Sequence, residues 1–521
     1  MTVTTARPLL ATALMLAIAG NATAASELPV IAPSAPTADP AIAPVTPAGS
    51  KSSSNQPGPT RANAAASLPE LGQPADLIAD RDTESHLGQA WLRQLRASTA
   101  LWPDPLVRDY IEALSYRLAL HTQLVDPQFT VVIIDDREVN AFAVPGGIVG
   151  VNTGLILTAE SEDELAGVMA HELGHLSQRH FARSQEANKY NQWIALGGLL
   201  ASIAAASAGG SSGGNLGMAV GMSAQAAAAQ NQLRYSRAFE QEADRIGMQT
   251  LTQAGYDPRA MPNFFLRLER ATRQLGYMPE FLLTHPLTTS RLSDLERRVN
   301  DWPRQLKIDD PEFRLIQVRL QVAYSTQLDE MIRAFQEALK SPNAPPASRL
   351  GLSLALLRNN QVDEAASALA PLLASDPSRL DYRITAIDIA LARRDYAGAL
   401  KLSEQAVALF PNQTSLLDRM TRAALPLNRT DHLRPLLDRA VREHANDPLL
   451  WRLLSDCAAS QQDAQTVFRA RAEILFLTNR QKPAEEQMKN ALRMARDNYS
   501  LTAHLDQRLD EMRRLDAEFK R

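Results

Sequence analysis

The hydrophobic pattern changes character along the chain, and each change predicts an element. Phe129-Thr130-Val131-Val132-Ile133-Ile134 is an unbroken apolar, β-branched run closed by Asp135-Asp136, which predicts a buried strand. Ala141-Phe142-Ala143-Val144 and Ile148-Val149-Gly150-Val151 flank Pro145-Gly146-Gly147, and Asn152-Thr153-Gly154 follows. That order predicts two short strands around a tight turn. Proline and paired glycine inside strand-like sequence point to a sheet edge or bulge that another backbone can approach. The period then switches to that of a helix. Ser161 is an N-cap, Glu162, Asp163 and Glu164 place carboxylates in the first turn, and Leu165, Val168, Met169 and Leu173 form an apolar stripe. Helical patterns over 85–97 and 105–121 precede the strands.

From about residue 311 the pattern is helical and repetitive. Pro342, Pro377, Pro411 and Pro448 recur about 34–37 residues apart, near the tetratricopeptide period of about 34. Ala365 and Ala399 stand twelve places before Pro377 and Pro411. In such arrays a small residue lets the paired helices approach and the proline ends the second helix. Between residues 192 and 230, two Ala-rich apolar stretches surround Gly209-Gly210-Ser211-Ser212-Gly213-Gly214. Each is too short to span a bilayer, and the readings are a helical hairpin packed on the domain, or a lid or hairpin that touches a membrane.

At the N-terminus, Arg7, the apolar run Leu9–Ala19 and the small residues Ala22-Thr23-Ala24 read as a secretory signal peptide over 1–24. No cysteine follows the run, which argues against a lipoprotein anchor. Residues 25–76 are rich in Pro, Ala, Ser and Thr and cannot bury a core, so they read as a disordered tether. A catalytic domain of mixed α and β is expected over 77–310, and an all-helical repeat domain over 311–521.

Charge and cysteine content exclude other classes. Fifty-four Lys and Arg against 58 Asp and Glu leave a formal charge of −4, so no basic field would attract nucleic acid. The single cysteine, Cys457, cannot form an intramolecular disulfide, and it lies inside a helical pattern as a small core residue rather than a nucleophile.

The chemistry lies in His171-Glu172-Leu173-Gly174-His175. Two His at i and i+4 share one helix face and can reach one metal, and imidazole suits zinc. Glu172 lies beside that face, placed to accept a proton from water and pass it to a leaving amine. A third His ten residues after His171 would suit one long-spaced arrangement, but that position is Phe181. His180 is about 140° round a continuous helix from His175, and reads as a surface or helix-end residue. The better third ligand is Glu240, which shares a face with Asp244, while Glu242 points about 200° away. Asp244 is then placed to orient a ligand His.

Four blocks carry a resemblance. They are Asn140–Gly147 with Asn152-Thr153-Gly154-Leu155, His171–His175, Ser236–Asp244, and Thr284-His285-Pro286 with Arg291. In this order they resemble the M48 family of zinc metallopeptidases. The resemblance implies an α+β, mostly α, zincin-like domain with a small sheet, followed here by an all-α tetratricopeptide-like domain. It also implies one Zn2+ per subunit and peptide-bond hydrolysis. His285 is implied as a fourth ligand that displaces water and holds the enzyme latent, against the alternative of a buried structural His. Arg291 would support the transition state or the structure. The edge strand Ala141, Phe142, Ala143 and Val144 would pair with extended substrate. Family members with a leader and repeats imply a periplasmic location, unfolded or misassembled outer-membrane proteins as substrates, and the outer-membrane β-barrel assembly machinery as partner. The long Pro/Ala tether departs from that pattern. A rival reading is a chaperone or assembly adaptor that works through its repeats.

Overall fold

The chain is described by a computed structural model over residues 81–124, 128–184, 237–276, 278–300 and 311–520. The expected leader, tether and Ala-rich stretch at 192–230 lie outside the described residues.

Two helices open the described chain, α1 (Arg81–Ser98) and α2 (Pro105–Ala119). The Asp104 carboxylate caps α2 by accepting from the Leu106 N–H at 3.2 Å, and Pro105 occupies the first helical position, where no N–H is needed. The sheet follows as β1 (Thr130–Ile134), β2 (Ala141–Val144) and β3 (Ile148–Asn152). Its order is β1-β3-β2. β1 runs parallel to β3 with Val132 opposite Gly150, and β2 runs antiparallel to β3 with Phe142 opposite Gly150. β2 therefore lies at an edge. Gly146 and Gly147 turn between β2 and β3 at φ of +84° and +75°, where a side chain would be strained.

α3 (Thr153–Thr158) leads into α4 (Glu162–Ser177), the helix of the His-Glu motif. The Ser161 hydroxyl accepts from the Glu164 N–H at 3.2 Å, as the sequence pattern predicts. α4 packs against β2, α2 and a later helix α6, and Leu165, Val168, Met169 and Leu173 are all fully buried. Next come a helix over 237–253 (α5), α6 (Ala260–Leu275), α7 (Glu280–Thr284) and α8 (Thr289–Asn300).

The rest of the chain is helical. α9 (Glu312–Tyr324) starts where the repeat region was expected to start and packs on two sides, with Leu315, Val318 and Val322 in the core of the following repeat helices. Phe313, Ile316 and Leu320 join the core built by α2, the sheet and α4. The Gln317 amide donates to the carbonyls of Ile156 and Ala159 at 3.1 and 2.9 Å, closing the carboxyl end of α3. The Tyr324 hydroxyl bonds to Asp135 and Thr153. After α10 (Leu328–Ala338), helices pair in sequence: α11 (Pro346–Arg358) with α12 (Val362–Ser375), α13 (Leu380–Ala392) with α14 (Tyr396–Leu409), α15 (Thr414–Ala424) with α16 (Leu433–Glu443), and α17 (Pro448–Ser460) with α18 (Ala464–Leu477). α19 (Gln481–Met494) and α20 (Tyr499–Lys520) end the array.

The turn inside each pair holds one left-handed residue, Asn360, Arg394, Asn428 and Gln462, each 34 positions after the one before. This marks the repeat more regularly than the prolines do. Pro377 and Pro411 follow second helices, but Pro448 opens α17. Ala365 and Ala399 are fully buried, as close helix pairing requires, and Cys457 is a core residue. A buried charge network also ties α2 to the repeats. Asp104 meets Arg419 at 3.0 Å and Arg319 at 3.5 Å, and Arg419 meets Asp388 at 3.1 Å. Among the described residues, no helix is long and apolar enough to cross a membrane.

Candidate metal centre

The site depends on how closely α4 and α5 approach. A Cβ on Gly174 would lie 3.0 Å from the Ala243 carbonyl oxygen, and one on Gly247 would lie 3.1 Å from the His171 nitrogen. The two helices thus meet backbone to backbone, with room for no side chain at those points. One turn pair on each helix then comes into register: His171 and His175 on α4, Glu240 and Asp244 on α5.

Four donors converge. His171, His175, Glu240 and His285 each offer an atom, all within 4.8 Å of one another. His171 Nε2 lies 3.1 Å from His175 Nε2 and 3.4 Å from Glu240 Oε2. His175 Nε2 lies 3.4 Å from Glu240 Oε1. His285 Nδ1 lies 3.4 Å from His171 Nε2 and 3.1 Å from Glu240 Oε1. A tetrahedral zinc with bonds of about 2.0–2.1 Å needs donor separations of about 3.3 Å. The donor chemistry and the separations both fit such an ion.

The surrounding groups orient the donors. His171 Nδ1 lies 3.1 Å from Asp244 Oδ1, leaving Nε2 to face the other donors. Arg291 grips Asp244 with two bonds of 2.7 Å, reaches Glu240 Oε2 at 2.9 Å, and donates to the Pro286 carbonyl at 3.0 Å. Burial opposes ionisation of Glu240, but the facing His285 and His171 hold it well below the usual carboxylate range. Burial also pulls His171 down, but hydrogen bonds to Asp244 and Glu240 outweigh it and lift the ring to about 9. His175 falls well below its ordinary value through burial and the neighbouring His171, so it stays neutral, the form that binds metal.

Glu172 points beside this cluster and is fully buried. Burial raises its pKa, against the pull of His285 and His171, which suits a base. The Ala143 backbone N–H of edge strand β2 bonds to its carboxyl group, and Oε1 has no hydrogen-bond partner among the described residues. His285 Nε2 lies 3.4 Å from that oxygen. The His285 ring therefore stands between the donors and Glu172. It is the C-cap of α7, and Phe281 packs on it at 4.9 Å.

Peptidase family M48 matches residues 105–299. The chain is 32% identical over 471 residues to the Beta-barrel assembly-enhancing protease of Escherichia coli K12, covering 89% of this chain and 95% of that one. The chain belongs to peptidase family M48. It is 32% identical over 453 residues to the Putative beta-barrel assembly-enhancing protease of Vibrio cholerae, covering 85% of this chain and 92% of the relative. A Mitochondrial metalloendopeptidase OMA1 of Schizosaccharomyces pombe is 30% identical over 193 residues, 37% of this chain and 52% of that one. This M48 peptidase is a metalloprotease.

In the M48 peptidase His180 stands at a helix end, one of the two places expected for it, but not at the surface. It is buried, with Nδ1 2.9 Å from His175 Nδ1. The reason is local. α4 ends at Ser177, and Arg179 adopts φ of 50°, so the helix breaks and a new helical segment starts at His180 in a different phase. His180 also falls to about 4, chiefly through burial. Arg291 is buried with its guanidinium bonded to Asp244, Glu240 and the 286 backbone, contacts of the kind the structural one of its two expected roles calls for. Gly247 and Arg183 were missed because their partners are distant in sequence. A cleft of about 860 Å³ opens from the site, lined by Phe142, Ala143, Glu172, His175 and His285 on one side and by Gln413 and His444 of the repeat half on the other.

Proposed function

We propose that this chain is a zinc-dependent endopeptidase of the periplasm that degrades unfolded or misassembled outer-membrane proteins and works beside the outer-membrane β-barrel assembly machinery. The observation that carries the chemistry is the near-tetrahedral set of donor separations with Glu172 beside it. His171, His175 and Glu240 would hold the zinc, and Asp244 would orient His171. When bound, the metal supplies a Lewis acid that polarises the scissile carbonyl and acidifies water. Glu172 takes the proton from the attacking water and later delivers it to the leaving amine. The edge of β2 pairs with an extended backbone, which selects chain conformation more than sequence. His285, lying between Glu172 and the donors, occupies the space that water and substrate need, so this arrangement is the latent form.

The wider role is supported by the name of relatives that match over nearly their whole length, by the expected leader, and by a repeat array whose loops line the cleft. The 34-residue period supports reading those repeats as tetratricopeptide-like. The adaptor reading leaves unexplained why a buried base stands beside metal donors. The test is metal analysis with cleavage of casein and unfolded porin by wild type and Glu172→Gln. Stoichiometric zinc in both proteins, with cleavage lost only in the variant, is expected. Cleavage by the variant at the wild-type rate would remove Glu172 as base, and wild type without zinc would remove the metal assignment.

A further inference from the structure

The two helical histidines are backed differently. His171 has Asp244 behind it, and Asp244 is held by Arg291. Behind His175 stands His180, whose Nδ1 lies 2.9 Å from His175 Nδ1. His180 Nε2 lies 3.1 Å from Glu242 Oε2, and Arg183 donates to the same oxygen at 2.9 Å. The Phe239 ring stacks on His180 at 4.5 Å with an interplanar angle of 19°, and the Arg183 guanidinium lies 4.8 Å from the same ring. His180 is therefore fixed in plane and in rotation.

The proton positions follow from one end of this chain. An ionised carboxylate only accepts, so the His180 nitrogen facing Glu242 carries the hydrogen. A neutral His180 then has a bare Nδ1, which can only accept. His175 must supply that hydrogen from its own Nδ1, and its Nε2 is left bare. Nε2 is the atom that faces His171 and Glu240.

We infer that His180, anchored by Glu242 and Arg183, is a positioning residue that sets the tautomer of His175 and presents its Nε2 lone pair to the metal. This rests on the proposed zinc site and adds a part to it. Each ligand ring then has its own relay ending in a carboxylate and an arginine. A neutral ring beside His175 also avoids a fourth carboxylate next to Glu172, Glu240 and Asp244, which already crowd the site.

The test is equilibrium zinc affinity of the full-length protein, measured by competition with a chromophoric chelator. His180→Leu fills the space without an acceptor, and His180→Asn places an amide oxygen near the lost Nδ1. Outer partners of ligand histidines typically contribute about 10–100-fold in affinity. His180→Leu should lose about that much, and His180→Asn should regain most of it. Should His180→Leu not fold, Glu242→Ala is the second variant; Glu242 is partly exposed, so this variant should fold, and it should bind zinc several-fold more weakly. Cobalt substitution supplies a second readout, because the visible spectrum of the ion reports donor geometry without turnover. An altered spectrum for His180→Leu and a native one for His180→Asn are expected. Wild-type affinity in His180→Leu, or in Glu242→Ala if the leucine variant does not fold, would overturn the inference while leaving the zinc site standing. Equal loss in the leucine and asparagine variants would assign His180 a packing role instead. Wild type that binds no zinc would fail the underlying site, and that result is distinct from either.

Discussion

Replacing Asp104 by Asn isolates the charge that ties the peptidase half to the repeats. Asn caps a helix as well as Asp, so the bond to the Leu106 N–H survives and only the charge is lost. Arg419 keeps Asp388, and Arg319 keeps the Thr385 hydroxyl at 3.1 Å, so neither guanidinium is stranded. Burial works against the Asp104 carboxylate, but Arg419 and then Arg319 draw it down from 3.8 to about 2. That displacement corresponds to roughly 2 kcal/mol of folding stability. The Asp104 side chain is 18% exposed, so solvent trims this figure without cancelling it. The folded pKa is depressed, so the stability is present above the unfolded value near 3.8 and is lost as pH falls through about 2. Urea unfolding of wild type and Asp104→Asn, followed by fluorescence, should differ by roughly 2 kcal/mol at pH 5–7. The difference should shrink to about half by pH 3. A difference that is absent at neutral pH, or that stays constant down to pH 3, refutes the reasoning.

Glu240→Ala should lose stoichiometric zinc under metal analysis, because the carboxylate donor is removed and only imidazoles remain in the cluster. His285→Ala should cleave unfolded protein faster, and cleave itself more, with zinc retained; a variant slower by about 10²–10³ would make His285 an oxyanion donor instead. Gly88→Ala places a Cβ 1.9 Å from the Pro145 carbonyl oxygen, backbone against backbone, so α1 must shift from the β2–β3 turn. A loss of about 1–3 kcal/mol by thermal or urea unfolding is expected, and unchanged stability would count against that packing. Cutting the chain at 310 removes Phe313, Ile316 and Leu320 from the peptidase core, so that fragment should unfold at lower temperature than one cut after Ser325; equal midpoints would show that α9 contributes nothing there.

Local chemistry made much of the site readable before any fold was known. Ser161 and its acidic followers marked α4, and helical spacing put Glu240 and Asp244 on one face. The strand runs were also legible, because β-branched residues in a buried sheet leave no other period. The parallel pairing of β1 with β3 was not, since Val132 and Gly150 carry no mark of each other. The burial of His180 was not legible, because its direction depends on one backbone angle at Arg179, a residue with no preference for positive φ. α9 has the spacing of a repeat helix and packs as one through Leu315, Val318 and Val322. Its second attachment, to carbonyls more than 150 residues earlier, left no mark in the sequence.

Gly174 and Gly247 bear on how the site tolerates drift. Where helices are separated by side chains, each core substitution moves the separation by the size of a methyl group, and any donors they carry move with it. Here main chain rests on main chain, so the gap between α4 and α5 is fixed by bond lengths and atomic radii. Core residues such as Leu165, Met169 and Met248 can then be exchanged for neighbours of similar volume while the donor spacing stays put. The mutational load falls instead on two positions whose side chain is a single hydrogen.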